Sequence, residues 1–163
     1  LERKIGLDMQ LPDGKLPGFY AQIVKGIAER APLFDRYKEL LVFDSEEAIP
    51  SVLELLAHYR VSSERCELVL LPSYGLDQGA LYEDYAIVTR NDNVFVDLAL
   101  VAFFSLNATT PDAEPAPALL QLKEHLIGSL TENGSEIHLI DRQLAELAER
   151  TAKAYGCVAE WRY

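Results

Sequence analysis

The run from Val94 to Phe104, VFVDLALVAFF, constrains this chain more than any other stretch. It is apolar at every position except Asp97, too continuous for a strand with one wet face, so a sheet built on it must be covered on both sides. Residues 85–89 form a second apolar run just before it. Between the two, Arg90-Asn91-Asp92-Asn93 supplies side chains that tolerate the left-handed backbone of a tight turn. The pattern predicts a central β-hairpin with strands over 85–89 and 94–101. Asp97 and the run's modest length also keep it below the roughly 18–20 apolar residues that a membrane span requires.

The remaining elements must pack around that hairpin, and the composition permits it. Of the 163 residues 49% are hydrophobic, enough for a substantial core in one domain. The formal net charge is −11, which argues against direct nucleic-acid binding and favours a basic protein partner where the partner is a protein. Cys66 and Cys157 lie far apart without spaced Cys or His companions, so neither a zinc site nor a disulfide scaffold is expected, and the simplest compartment is a reducing cytoplasm. No leader peptide is visible at Leu1.

Residues 1–17 carry Pro12-Asp13-Gly14 and Pro17 and read as a leading segment or linker, with a single α/β domain over 18–163. Helical spacing of Phe19, Ile23, Val24 and Ile27 predicts a helix over 18–31. Leu40 to Phe43 reads as a buried strand, and Asp44-Ser45 caps a helix over 46–60. A second strand over 66–71, closed by Pro72, completes a β-α-β unit whose strands are expected to be parallel neighbours. Residues 73–80, with Gly75 and Gly79, read as a mobile rim. A helical stripe through Leu119, Leu122, Leu126 and Leu130 predicts a helix over 118–131, followed by a short strand over 136–140, a helix over 141–155 and an edge strand at the carboxyl end. No internal repeat is visible. The fold class is α/β, a mixed sheet with a central β-hairpin, flanked by helices.

Ligands of β-α-β units sit beyond the carboxyl ends of the strands, which here carry Asp44, Ser45, Ser73 and Tyr74. Asp97 is a carboxylate inside an apolar strand and needs a partner such as Arg90 or Arg142, an exit to water or a ligand. Tyr82, with its neighbouring aromatics, is placed to line a pocket beside the hairpin. His58, His125 and His138 lack a second metal ligand at suitable spacing, and no phosphate loop, nucleophile elbow or dinucleotide fingerprint occurs, so no cofactor, metal or catalytic residue is assigned.

The element order from Leu40 onward, strand, helix, strand, hairpin, polar loop and helices, resembles one half of a phospholipase D-superfamily domain. In the best register Tyr82, Asp84 and Thr89 stand where that family's His-x-Lys-x4-Asp motif has its three catalytic residues, so the resemblance implies a copy without catalysis. Superfamily domains lacking the motif serve as sensory or dimerising parts of bacterial regulators. The implied role is therefore a non-enzymatic regulatory or sensor domain, homodimeric and cytoplasmic, binding a small molecule or a protein through Asp44, Ser45, Ser73, Tyr74, Tyr82, Asp84 and Asp97. Two alternatives stand beside it: a small-molecule enzyme with an acidic site at the strand ends, and a protein-interaction adaptor.

Overall fold

The computed structural model describes residues 1–163, the side chain of Pro17 excepted. In chain order the elements are β1 (Glu2–Gln10), α1 (Pro17–Arg30), β2 (Asp35–Tyr37), β3 (Leu40–Phe43), α2 (Ile49–His58) and β4 (Ser62–Leu70). There follow β5 (Asp77–Gln78), α3 (Tyr82–Tyr85), β6 (Ile87–Val88), β7 (Val94–Asp97) and β8 (Val101–Ala108). The chain closes with α4 (Pro115–Leu122), β9 (Leu126–Glu132), β10 (Ser135–Asp141), α5 (Ala145–Ala154) and β11 (Cys157–Trp161). Helices flanking sheets make this an α/β fold, and the hairpin is present as β6 and β7, with Ile87 opposite Phe95 and Val88 opposite Val94.

The chain divides into two compact units. The first comprises Glu2–Leu70 and Ile87–Phe95, the second Leu1, Leu71–Ala86 and Val96–Tyr163. Residues 2–10 are therefore no linker. Ile5, Leu7 and Met9 alternate along β1 and face a buried core under the helices, and both edges of the strand are paired, with β3 and with β4. This corrects the β-α-β expectation as well. β3 and β4 each run antiparallel to β1 and so parallel to each other, but β1 lies between them. Pairing with β1 also starts β4 at Ser62, opposite Gln10, four residues before the apolar run at Cys66 suggests.

In the first unit the sheet order is β2-β3-β1-β4-β7-β6. One face packs Leu7, Leu41 and Phe43 against Ile23, Ile27, Val52 and Leu56 of α1 and α2. The opposite face gathers Leu40, Val42, Leu68 and Phe95 into a second core. Gly6 lies on this face, where a methyl group would collide with the Cys66 sulfur and meet Leu40 Cδ1 at 3.0 Å, so only glycine fits without displacement.

In the second unit the order is β11-β8-β10-β9-β5, with Ala102, Phe104 and Ile140 packed against Leu122 of α4 and Ala148 and Ala152 of α5. Residues 126–132, expected at the end of a helix, form β9. Leu126 and Leu130 satisfy helical spacing, but Asn133 (φ 51°) and Gly134 (φ 78°) turn the chain back so that β10 pairs along the segment. Residues 77–79 are likewise paired rather than a free rim: β5 joins β9, and the Gly79 amide donates to the Ile127 carbonyl at 2.9 Å. A side chain at Gly79 would strike the Leu126 carbonyl. β11 is an edge strand, as its position and alternation suggest.

The two units share one topology. Each contains strand, helix, strand, strand, helix, strand, as β1-α1-β2-β3-α2-β4 and as β8-α4-β9-β10-α5-β11. Counting strands within each set, both give the antiparallel order 4-1-3-2. This is the split β-α-β, ferredoxin-like arrangement. The likeness extends to local detail. After the third strand of each set a polar side chain caps a short 3-10 turn: Ser45 Oγ accepts from the Glu47 amide at 3.1 Å, and Asp141 Oδ1 from the Gln143 amide at 2.8 Å. Each second helix is followed by a tyrosine and then a left-handed residue, Tyr59 with Arg60 (φ 58°) and Tyr155 with Gly156 (φ 72°). The expectation of no internal repeat is thereby corrected, since the repeat lies in the order and pairing of elements.

Candidate functional site

The first unit's sheet has β2 and β6 as its outer strands, and a polar network ties the chain at these two ends together. Asp35, on β2, is only 5% exposed. Its carboxylate accepts from Thr89 Oγ1 at 2.6 Å, Asn93 Nδ2 at 2.8 Å, Asn91 Nδ2 at 2.9 Å and the Arg36 amide at 2.8 Å. Burial by itself raises this carboxyl's pKa, but the four donors outweigh it and hold the group below its ordinary value. Thr89, Asn91 and Asn93 all belong to the hairpin turn, in which Asp92 takes the left-handed conformation (φ 62°). Because β2 and β6 stand at opposite ends of the strand order, these bonds curl the sheet until its ends meet.

Along that seam lies a pocket of about 540 Å³, within the range typical of small-molecule sites. Arg36 on β2 and Lys38 in the turn after it border it from one side, and Val88, Arg90 and Asn91 from the hairpin. Tyr20, on α1, completes the wall and donates its hydroxyl to the Lys38 carbonyl. The Arg36 guanidinium lies 5.8 Å from the Tyr20 ring centre and the Lys38 ammonium 5.2 Å from that of Tyr37. Among the described residues, none of Arg36, Lys38 and Arg90 has a carboxylate within ion-pair distance. Of the unit's other cations, Arg65 pairs with Glu46 and Glu67, Lys4 with Glu2 and Asp44, and Arg3 with Glu67, whereas among the described residues Lys15, Lys25, Arg30 and Arg60 have no carboxylate within that distance either.

The residues singled out from sequence fall in both units. Asp44 and Ser45 belong to the first. Asp44 is the ion-pair partner of the buried Lys4, whose ammonium sits 4.3 Å from the Phe34 ring centre, while Ser45 is a helix cap. Burial opposes the charge on Lys4, but hydrogen bonds from it to Asp44 and Glu2 prevail and raise its pKa. The other five belong to the second unit. Ser73 and Tyr74 are exposed, Tyr74 at 90%. Tyr82 and Asp84 lie on the helical turn α3 rather than on a hairpin strand, Tyr82 buried and Asp84 exposed. Asp97 ends β7 and accepts from the Ala99 amide at 2.8 Å. It pairs with neither arginine: Arg142 instead donates to the carbonyls of Leu98 and Val101, at 2.8 and 2.9 Å.

The second unit has its own pocket, of about 480 Å³, bordered by His138, Ser105, Glu136 and residues of α4. His138 is 2% exposed, with Nδ1 2.7 Å from Ser129 Oγ and its ring 5.4 Å from that of Phe104. Burial lowers its pKa, and the Glu136 carboxylate only partly counters that. Among the described residues, no group of three His, Cys, Asp or Glu side chains is placed to hold a metal, and no helix is long and apolar enough to cross a membrane.

Among the seam residues, the sequence marks Arg90 as a candidate partner of Asp97 and Thr89 as a position in the motif register, but it does not assign the seam as a site. Arg90, Asn91 and Asn93 read as turn formers, which they are, while Asp35 and Thr89 lie 54 positions apart and nothing local joins them. The nearest signal is an aspartate just after Pro32-Leu33-Phe34, where a buried charge demands donors from elsewhere.

Comparison with protein-family models, with curated proteins and with solved structures gives no match for this chain.

Proposed function

We propose that this chain is a non-enzymatic regulatory module that senses a small molecule, with its site in the seam pocket of the first unit. The observation that carries this reading is the pocket itself, walled by two segments distant in sequence and bordered by three cations without carboxylate partners. Asp35 is occupied by four donors, which makes it a fixed anion that holds the seam together rather than a base. The acidic residues offered for an enzyme site do other work: Asp44 neutralises Lys4, and Asp97 holds a turn. The resemblance to phospholipase D-superfamily domains without their catalytic motif suggests the same kind of role. Within this reading the module works in the cytoplasm as part of a homodimeric regulator. The sparse, unspaced cysteines support the compartment, and light scattering tests the dimer.

A thermal-shift screen of the purified chain against metabolites tests the sensor. Ligand at 100 times its dissociation constant adds about 2.7 kcal/mol, which shifts the melting point of a protein this size by several degrees. A compound that stabilises saturably and is recovered unchanged is the expected result. A compound that is consumed makes the chain an enzyme, and no stabilising compound of any class sinks the sensing role.

A further inference from the structure

Resting on that reading of the seam pocket, we infer that its ligand is a small polyanion, carrying at least two acidic groups as a phosphate ester or a di- or tricarboxylate does, and that it bridges the seam. Against a background of 15 Lys and Arg to 26 Asp and Glu, cations gathered at one place repel one another unless an anion joins them. Three cations border this one pocket. Arg36 comes from β2 and Lys38 from the turn after it, Arg90 from the turn after β6, and the two segments meet only because the sheet curls. The buried Asp35 carboxylate, held by neutral donors, keeps its negative charge, so three cations face one anion along the pocket and the balance still favours an incoming anion. Guanidinium groups offer paired donors that match carboxylate and phosphate oxygens. Tyr20 and Tyr37 lie against Arg36 and Lys38, which limits the freedom those side chains lose on binding.

A monoanion meets one wall of the pocket. A polyanion engages both at once and reinforces the Asp35 network that joins the ends of the sheet. Ligand binding and seam closure are thereby linked, and the hairpin of residues 87–95 is the part of the first unit that lies in the chain between two stretches of the second.

The test uses the full chain in about 0.15 M salt, where exposed charges are screened beyond roughly 8 Å. Citrate, inorganic pyrophosphate and a nucleoside monophosphate are compared with acetate, adenosine and glucose by thermal shift and calorimetry. At least one polyanion binds saturably and acetate does not. Arg36→Gln and Arg90→Gln, both at exposed positions, each weaken that binding about tenfold or more, the scale of a lost charge-assisted hydrogen bond, and Arg30→Gln leaves it unchanged. Unaltered polyanion binding in the Arg36→Gln/Arg90→Gln double variant overturns the proposal. Saturable binding of a neutral compound without any polyanion also overturns it and leaves the sensor standing. Silence from every compound in the wider screen removes both.

Discussion

Asp35 is a buried carboxylate held by four donors. Its replacement by asparagine puts an amide donor among groups that already donate, and costs about 2–3 kcal/mol, measurable by urea unfolding. Because the folded-state pKa lies below the ordinary value of 3.8, the stabilisation is complete above that value and is lost as pH falls through the folded pKa. Asp35→Asn therefore flattens the acid limb of the stability profile. His138 gives a second pH signature with its own window. Buried as neutral imidazole with its pKa below the ordinary 6.5, it contributes stability that is complete above about pH 6.5 and declines as pH falls toward the folded pKa. His138→Gln removes that slope between neutral and mildly acidic pH while leaving the more acidic limb of Asp35 in place. At Gly6 the constraint is steric. Gly6→Ala is destabilising by about 1–3 kcal/mol, and Cys66→Ala in the same chain recovers much of the loss in a double-mutant cycle, because the sulfur is the atom the new methyl meets first.

Among the elements, the apolar run 94–104 behaves least as its composition suggests. It is two strands, β7 and β8, which belong to different sheets, and the break falls at the one polar position. Asp97 turns the chain by accepting from the Ala99 amide, its own carbonyl accepts from Leu100 at 3.0 Å, and Arg142 forks onto the carbonyls of Leu98 and Val101. Arg142→Met should cost about 2 kcal/mol by leaving those two carbonyls without a donor, and Arg142→Lys should recover little, since an ammonium cannot reproduce the fork. Denaturant unfolding of both variants decides it: equal stability of Arg142→Lys and the parent would refute the clamp. The position of Asp97 as the informative charge was legible in sequence, but its role was not: it accepts from the Ala99 amide, and Arg142, a candidate partner by charge, acts on backbone oxygens instead.

At the scale of the whole molecule, the repeated β-α-β-β-α-β order dictates which strands are interior. β1 and β3 in the first unit, and β8 and β10 in the second, are paired on both edges, as β4, β7 and β9 are through the added strands, whereas β2, β6, β5 and β11 close the ends of their sheets. Amide hydrogen exchange should follow that order, with the slowest amides in β1, β8 and β10 and the fastest strand amides in the four end strands. A saturating polyanion should slow exchange in residues 87–93 and 35–38 before it affects β1. Protection in the end strands equal to that in β1 without ligand would contradict the strand order.

Contiguous residues sufficed for features whose energetics are local. The helix α1 with its apolar stripe, the strand-cap-helix sequence through Asp44-Ser45, the hairpin turn at 90–93, the last helix and the edge strand after it can all be read from spacing and capping chemistry. Tertiary structure alone decided the place of β1 between β3 and β4, the conversion of 126–132 from helix to strand, the repeat of one topology in two units, and the seam pocket. Backbone hydrogen bonds between extended segments look alike whichever strand supplies the partner, so neighbours are selected by burial and register summed over distant residues. Asp35 shows the same logic in one side chain: its sequence neighbours leave a buried charge, and only the curled sheet brings Thr89, Asn91 and Asn93 to meet it.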